Sequence, residues 1–209
     1  MSLLDLLSSP MGKQLISGVS NQTGNSTDQT GSVLTMALPL LMGAMKKNAA
    51  TPEGAQGLMS ALENKHDGSI LNNLGGLFGG GVDDSVKEDG AGILGHVLGG
   101  KQPQVENAIS QKSGVDAGTV GTILKVAAPI LMGMIGQQKQ QQNVSDASGL
   151  QSLLGGMMGG GQQAEKQQSL IESFLDSDGD GSILDDVASL ALGGNKGGIG
   201  GLLGGLFGK

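Results

Sequence analysis

The sequence predicts an all-α protein made of two duplicated helical modules with helix-turn-helix corners, joined by Gly-rich linkers. Three observations carry this. The chain repeats itself, its apolar residues recur at helical intervals, and no sustained alternating segment rich in Val, Thr and aromatics appears. Ser20, Gly24, Gly31, Leu34 and Pro39 return as Ser110, Gly114, Gly121, Leu124 and Pro129, each 90 residues later and without a gap. The run Pro39-Leu-Leu-Met-Gly-Ala-Met45 returns as Pro129-Ile-Leu-Met-Gly-Met-Ile135. A second echo, at 113 residues, turns Asp67-Gly-Ser-Ile-Leu-Asn-Asn73 into Asp180-Gly-Ser-Ile-Leu-Asp-Asp186.

Each element of a module has its own sequence signal. Val105, Ala108 and Ile109 form one face of a first helix. Gly114 suits the left-handed residue that ends it, and Asp116 is a good N-cap for the helix that follows. Helix, Gly turn, N-cap and helix make a helix-turn-helix. The next helix buries Ile123, Ala127, Ile130, Leu131, Met134 and Ile135, and its first copy buries Val33, Ala37, Leu40, Leu41 and Ala44. Pro39 and Pro129 fall inside these helices. Each removes the hydrogen bond to the carbonyl four residues back, at Thr35 and Lys125, and should bend the helix there. The two copies should superpose through residues 20–45 and 110–135.

Three Gly-rich segments, 75–81, 155–161 and 193–208, pair Gly with Leu, Ile, Met or Phe. Ordering Gly carries the largest entropy cost of any residue, so these read as disordered or loosely helical linkers. Residues 137–142 are a Gln-rich connector. The expected division is a first module at 1–81, a second at 82–193 and an apolar Gly-rich tail at 194–209.

Composition excludes several function classes. Gly is 40 of 209 residues, Phe is 3, and Tyr and Trp are absent, so the core must come from aliphatic side chains and Met. All 12 basic residues are Lys and the net charge is -7. The lack of Arg and the acidic balance argue against nucleic acid, since Arg is the preferred reader of phosphate and guanine. The would-be recognition helix starts Asp116, Ala117, Gly118, Thr119, with no basic residue before Lys125. Absence of Cys removes disulfides, thiol catalysis and zinc-thiolate sites. Asp5 interrupts the N-terminal Leu run, which also lacks a basic flank. The longest apolar stretches, 33–45 and 126–135, hold 13 and 10 residues, short of a bilayer span. A cytoplasmic chain is expected, with leaderless export as the alternative.

Several features together resemble the bacterial YidB-like family, a domain-of-unknown-function family. They are Gly92-Ile-Leu-Gly-His-Val-Leu-Gly99, the Ser-Gly-Val-Asp turn at 113–116, the Ala-Pro-Ile-Leu-Met-Gly run at 128–133 and the Gly-Ser-Ile-Leu-Asp-Asp box at 181–186. The match runs from about residue 3 to 193, and the order of the motifs carries it. The resemblance implies an all-helical fold with a homeodomain-like corner and no known activity. The acid-rich loop and the long Gly tracts go beyond compact members of the family.

One candidate chemical site emerges. Asp176, Asp178 and Asp180 fall at positions 1, 3 and 5 of a calcium-loop pattern, with Gly181 at the turn, the Ser182 carbonyl at position 7 and Ile183 docking the loop. Position 12 is Val187 instead of the EF-hand Glu, so Asp185 and Asp186 are the candidates to close the shell. This EF-hand-like loop predicts one weak Ca²⁺ site; the competing reading is an Asp-rich turn that caps the next helix. In the first copy the same positions hold Glu63, Lys65 and Asp67, and an ammonium in the position-3 slot should abolish binding. His66 lies in that degenerate loop, and the flanks of His96 suggest a helix face against the core. No nucleophile elbow, phosphate loop or His-Glu-x-x-His motif appears. The expected function is non-enzymatic, through a protein partner or self-association. One alternative is a membrane-surface protein using the apolar Gly segments. Another is a DNA-binding regulator, disfavoured by charge.

Overall fold

The computed structural model describes residues 7–79 and 81–159, and every regular element among them is helical. The helices start where the sequence supplies caps. Ser9 accepts the Gly12 N–H ahead of α1 (Pro10–Thr23), with Pro10 opening the first turn. Ser26 and Gln29 form a capping box at the start of α2 (Thr27–Asn48). Thr51 caps α3 (Pro52–Asn64), which leads through a 3-10 turn (Ser69–Asn73) into the short α4 (Leu74–Gly79). Then come α5 (Asp84–Leu98), a second 3-10 turn (Gly99–Lys101), α6 (Gln102–Ser113), α7 (Ala117–Gln141) and α8 (Ala147–Gly159).

The 90-residue repeat is a repeat of structure. Helix α1 ends at Gly24 with φ 71 and ψ 13, and α6 ends at Gly114 with φ 71 and ψ 11. The Gly24 N–H donates to the Ser20 carbonyl and the Gly114 N–H to the Ser110 carbonyl. These left-handed residues are the positions where Gly avoids the steric penalty of a Cβ. Two residues later stand the N-caps Ser26 and Asp116, also 90 apart. The crossing repeats as well: Ile16 lies over Gly31 and Glu106 over Gly121. Both long helices continue through their prolines.

The two copies interlock. The long helices α2 and α7 pack on each other, α2 also on α6 and α8, and α7 also on α1, α3 and the first 3-10 turn. Helix α5 lies along α7, and its Gly90 sits against the Lys125 carbonyl, the one that Pro129 leaves without its helical donor. Helix α7 is buried on nearly every side from Val120 to Gly136. The expectation of 10 apolar residues there undercounts it, because Gly and Thr extend the helix to 25 residues. It is the one described helix long and apolar enough to cross a membrane, and 78% of that apolar window is buried within the fold.

Two expectations need correction. The first Gly-rich segment, expected as a disordered or loosely helical linker over 75–81, is ordered over 75–79 as part of α4, which buries Leu74 and lays the Phe78 ring on Gly18 of α1. Apolar burial and the absence of a side chain on Gly18 offset the entropy cost of ordering the glycines. Likewise residues 155–159 are helical in α8, and 193–208 lie outside the described residues. His96 does not face the core. It is exposed, with its Nδ1 2.9 Å from the Gly92 carbonyl, while Leu94 supplies the buried face.

Symmetry also exposes a defect. Thr30 and Val120 are equivalent, and both are wholly buried, but the Thr30 hydroxyl has no hydrogen-bond partner. A buried unsatisfied hydroxyl costs about 1–3 kcal/mol. Thr30→Val, which copies the other module, should therefore stabilise the fold by about 1 kcal/mol and raise the thermal midpoint in calorimetry. An unchanged or lowered midpoint would show that the hydroxyl is satisfied in solution.

Candidate functional site

The ligands read from the sequence, Asp176, Asp178, Asp180, Ser182, Asp185 and Asp186, lie outside the described residues. Their first-copy counterpart, from Glu63 to Asn73, is described. The last turn of α3 closes with the Lys65 and His66 N–H groups both donating to the Ala61 carbonyl. Asp67 then accepts the Ser69 N–H at 2.9 Å, and this bond holds its carboxyl below the usual range. Gly68 takes φ 103, a left-handed value that favours Gly, and the chain enters the 3-10 turn.

The box seats on α7 through backbone contact. The His66 carbonyl rests on Gly136, Ile70 lies on Gly133, and Gly68 faces the Gly133 carbonyl and Gln137. Polar contacts fix the register at the rim: Gln140 Nε2 donates to the Asp67 carbonyl at 3.0 Å, and Lys139 Nζ pairs with Glu63 at 3.0 Å. The three side chains at the ligand positions, Glu63, Lys65 and Asp67, are all exposed. Two of them are already engaged, Glu63 by Lys139 and Asp67 by Ser69. No group of three metal-ligating side chains forms among the described residues.

One side chain turns inward. His66 is 5% exposed, and its Nε2 stands 3.5 Å from Asp89 Oδ2 on α5. Burial holds the imidazole below its ordinary value; Asp89 pulls the other way, and Lys65 adds to the depression. Sequence reasoning missed this pair. Asp89 lies on α5, an element separate from the box. Its true partner lies 23 positions back, and no local period reports that contact. A usable signal was the pairing of a lone His with a box made to dock.

The family model described as a bacterial protein of unknown function (DUF937) matches residues 5–138 and again 139–209. The chain belongs to this family. The two matches meet within the Gln-rich tract at the end of α7, whereas the corners repeat at a period of 90 residues. No curated protein and no solved structure matches the chain. Membership of DUF937 attaches no reaction to the chain.

Glycine contacts decide whether the box stays seated. Gly136→Ala would drive a methyl into the His66 carbonyl, a backbone atom that cannot rotate away. It should cost about 1–3 kcal/mol. Gly57→Ala on the open face of α3, with nothing near the new methyl, should instead gain about 0.5–1 kcal/mol. Urea melts of both variants followed by circular dichroism provide the check, and equal effects would mean that helix propensity, not docking, governs residue 136.

Proposed function

We propose that this DUF937 chain is a non-enzymatic helical scaffold of two related modules, residues 1–81 and 82–193, with a Gly-rich tail. It works through contacts with a partner protein or a second copy of itself, and it takes one calcium ion in the second acidic box. The contrast between the two boxes carries the reading. They share the frame Asp-Gly-Ser-Ile-Leu, but the first carries Glu63, Lys65 and Asp67 where the second carries Asp176, Asp178 and Asp180. The first neutralises itself with Lys65 and Lys139. The second gathers five carboxylates between residues 176 and 186 with no Lys among them. Such crowding is costly without a cation. Ser182 and Asp185 or Asp186 would add the oxygens that a hard ion requires.

Two competing readings lose support on physical grounds. A DNA reader needs its second corner helix free to enter a groove, but α7 is the most buried helix described. A membrane-surface role would use the apolar Gly segments, yet the first of them lies in α4 and sets Phe78 on Gly18.

Calorimetric titration of the intact protein with Ca²⁺ tests the proposal. One site is expected, with Kd on the order of 10⁻⁵ to 10⁻³ M because the position-12 Glu is missing. Saturation should raise the thermal midpoint by mass action. Asp180→Ala should abolish both effects and Asp67→Ala should leave them intact. Identical responses in wild type and both variants would reduce the acidic box to a capped turn.

A further inference from the structure

Helix α5 turns an unpartnered face to solvent, and the order of charge along it selects an occupant. Asp84, Glu88, Gly92, Gly95 and His96 are all exposed. At about 3.6 residues per turn they fall within one arc of the helix, opposite the buried Gly90 and Leu94. We propose, on the self-association arm of the reading above, that this face pairs with the same face of a second copy. The two α5 helices cross antiparallel about Gly92 in a two-fold symmetric dimer.

The face is complementary to itself. Glu88 and His96 each stand four residues from Gly92, on opposite sides of it. Asp84 stands eight residues before Gly92, and Gly100, next to Lys101, eight after. A two-fold axis at Gly92 therefore sets Glu88 against His96 and Asp84 against the Lys101 turn, and does so twice. Antiparallel helix dipoles add to the match. The basic end extends beyond α5 itself. The Asn48 side chain donates to the His96 and Val97 carbonyls at 3.1 and 3.3 Å, which ties the end of α2, with Lys46 and Lys47, to the end of α5. No acidic residue occurs between Asp28 and Glu53 or between Asp89 and Glu106. Among the described residues no carboxylate forms an ion pair with Lys46, Lys47 or Lys101. Burial, and then the neighbouring Lys47 ammonium, hold Lys101 below its ordinary range. At the acidic end Asp83 and Glu88 are exposed and have no ion pair among the described residues. Asp84 meets Lys87 at 3.0 Å, yet its side chain stays 90% exposed.

The centre of the face is small where the monomer does not require it. Gly90, on the inner side, leaves no room for a Cβ beside the Lys125 carbonyl, whereas a Cβ at Gly92 or Gly95 would meet nothing within 4 Å. An exposed Gly inside a helix weakens it relative to Ala. The dipole of α5 alone accounts for acid at its start and base at its end, but not for these two glycines. A second helix crossing at Gly92 accounts for both, since helix axes approach closest where the contact side chains are smallest. One helix pair lies at the small end of specific interfaces, so a reversible dimer of micromolar or weaker affinity is expected.

Sedimentation velocity of the full chain, from micromolar to submillimolar concentration, tests the pairing. A monomer–dimer equilibrium is expected that weakens about tenfold or more between about 0.05 and 1 M salt. Gly92→Gln, whose Cβ enters open space, should keep the helix content and abolish the dimer. Gly57→Gln on α3, equally open, should dimerise like wild type. Asp84→Lys combined with Glu88→Lys should be monomeric, and so should Lys47→Glu combined with Lys101→Glu. An equimolar mixture of these two charge-reversed chains should dimerise again. A dimer that survives Gly92→Gln and both reversals overturns this face and leaves self-association standing. A chain that is monomeric at every concentration overturns the pairing together with the self-association arm, and leaves the partner-protein arm. Monomers that bind anionic vesicles, and lose that binding with Lys47→Glu and Lys101→Glu, overturn the pairing in favour of a lipid surface. Should a charge-reversed chain fail to fold, Gly92→Gln and the salt dependence decide.

Discussion

Everything in this fold depends on how closely other backbones approach α7. The chain has no Tyr or Trp and few Phe, so it lacks the residues that normally fill space between helices held well apart. It compensates by letting main chains touch. Gly90 brings α5 down to the Lys125 carbonyl and Gly136 admits the His66 carbonyl, while Gly121 takes the Glu106 side chain and Gly133 that of Ile70. Dispersion between many close atoms replaces the area of large rings. The carbonyl at Lys125 illustrates the economy. Pro129 deprives it of its helical donor, and the Cα of Gly90 stands where a Cα–H can face it.

The same packing explains why the modules share a core. Each long helix packs on the first helix of its own copy and on that of the other copy. The buried positions correspond pair by pair: Val33 with Ile123, Leu34 with Leu124, Leu41 with Leu131 and Met45 with Ile135. Differences concentrate where one copy has a neighbour that the other lacks. Pro129 is buried whereas Pro39 is half-buried. Gly136 receives the box whereas its equivalent, Lys46, is exposed. Duplication fixed the corners, and divergence followed what covers each long helix.

How much of this was legible depended on the range of the interaction. Caps, left-handed glycines and apolar periods are local, so Asp116, Gly114 and the face from Ile123 to Ile135 were readable directly. The roles of His66 and His96 were not, because both depend on contacts made across the fold. His96 sits among apolar neighbours in sequence and still faces water, since the helix turns it away from Leu94. The 75–79 segment reads as flexible from composition alone, and only the match between Phe78 and Gly18 gives its glycines a reason to be ordered. The box at 63–73 was recognisable as a unit, but that it docks by its backbone required α7 to be in place.

The two boxes share one sequence frame and differ in charge. A loop that closes a helix and turns sharply must bring polar groups near one another, and their repulsion has to be answered. In the first box the answer is built in: Lys139 meets Glu63, Lys65 stands in the ligand row, and Ser69 occupies Asp67. In that arrangement the Glu63 and Asp67 carboxylates are engaged, and the buried His66 ring meets Asp89 of α5. In the second box residue 66 is replaced by Gly179 and Lys65 by Asp178, so neither an internal cation nor a ring is supplied. The chain therefore holds one box whose sequence includes a Lys among its carboxylates and one whose sequence carries five carboxylates and no Lys. Two duplicated loops need not keep duplicated chemistry, because the substitutions that settle the charge of one remove the ligands it would have shared with the other.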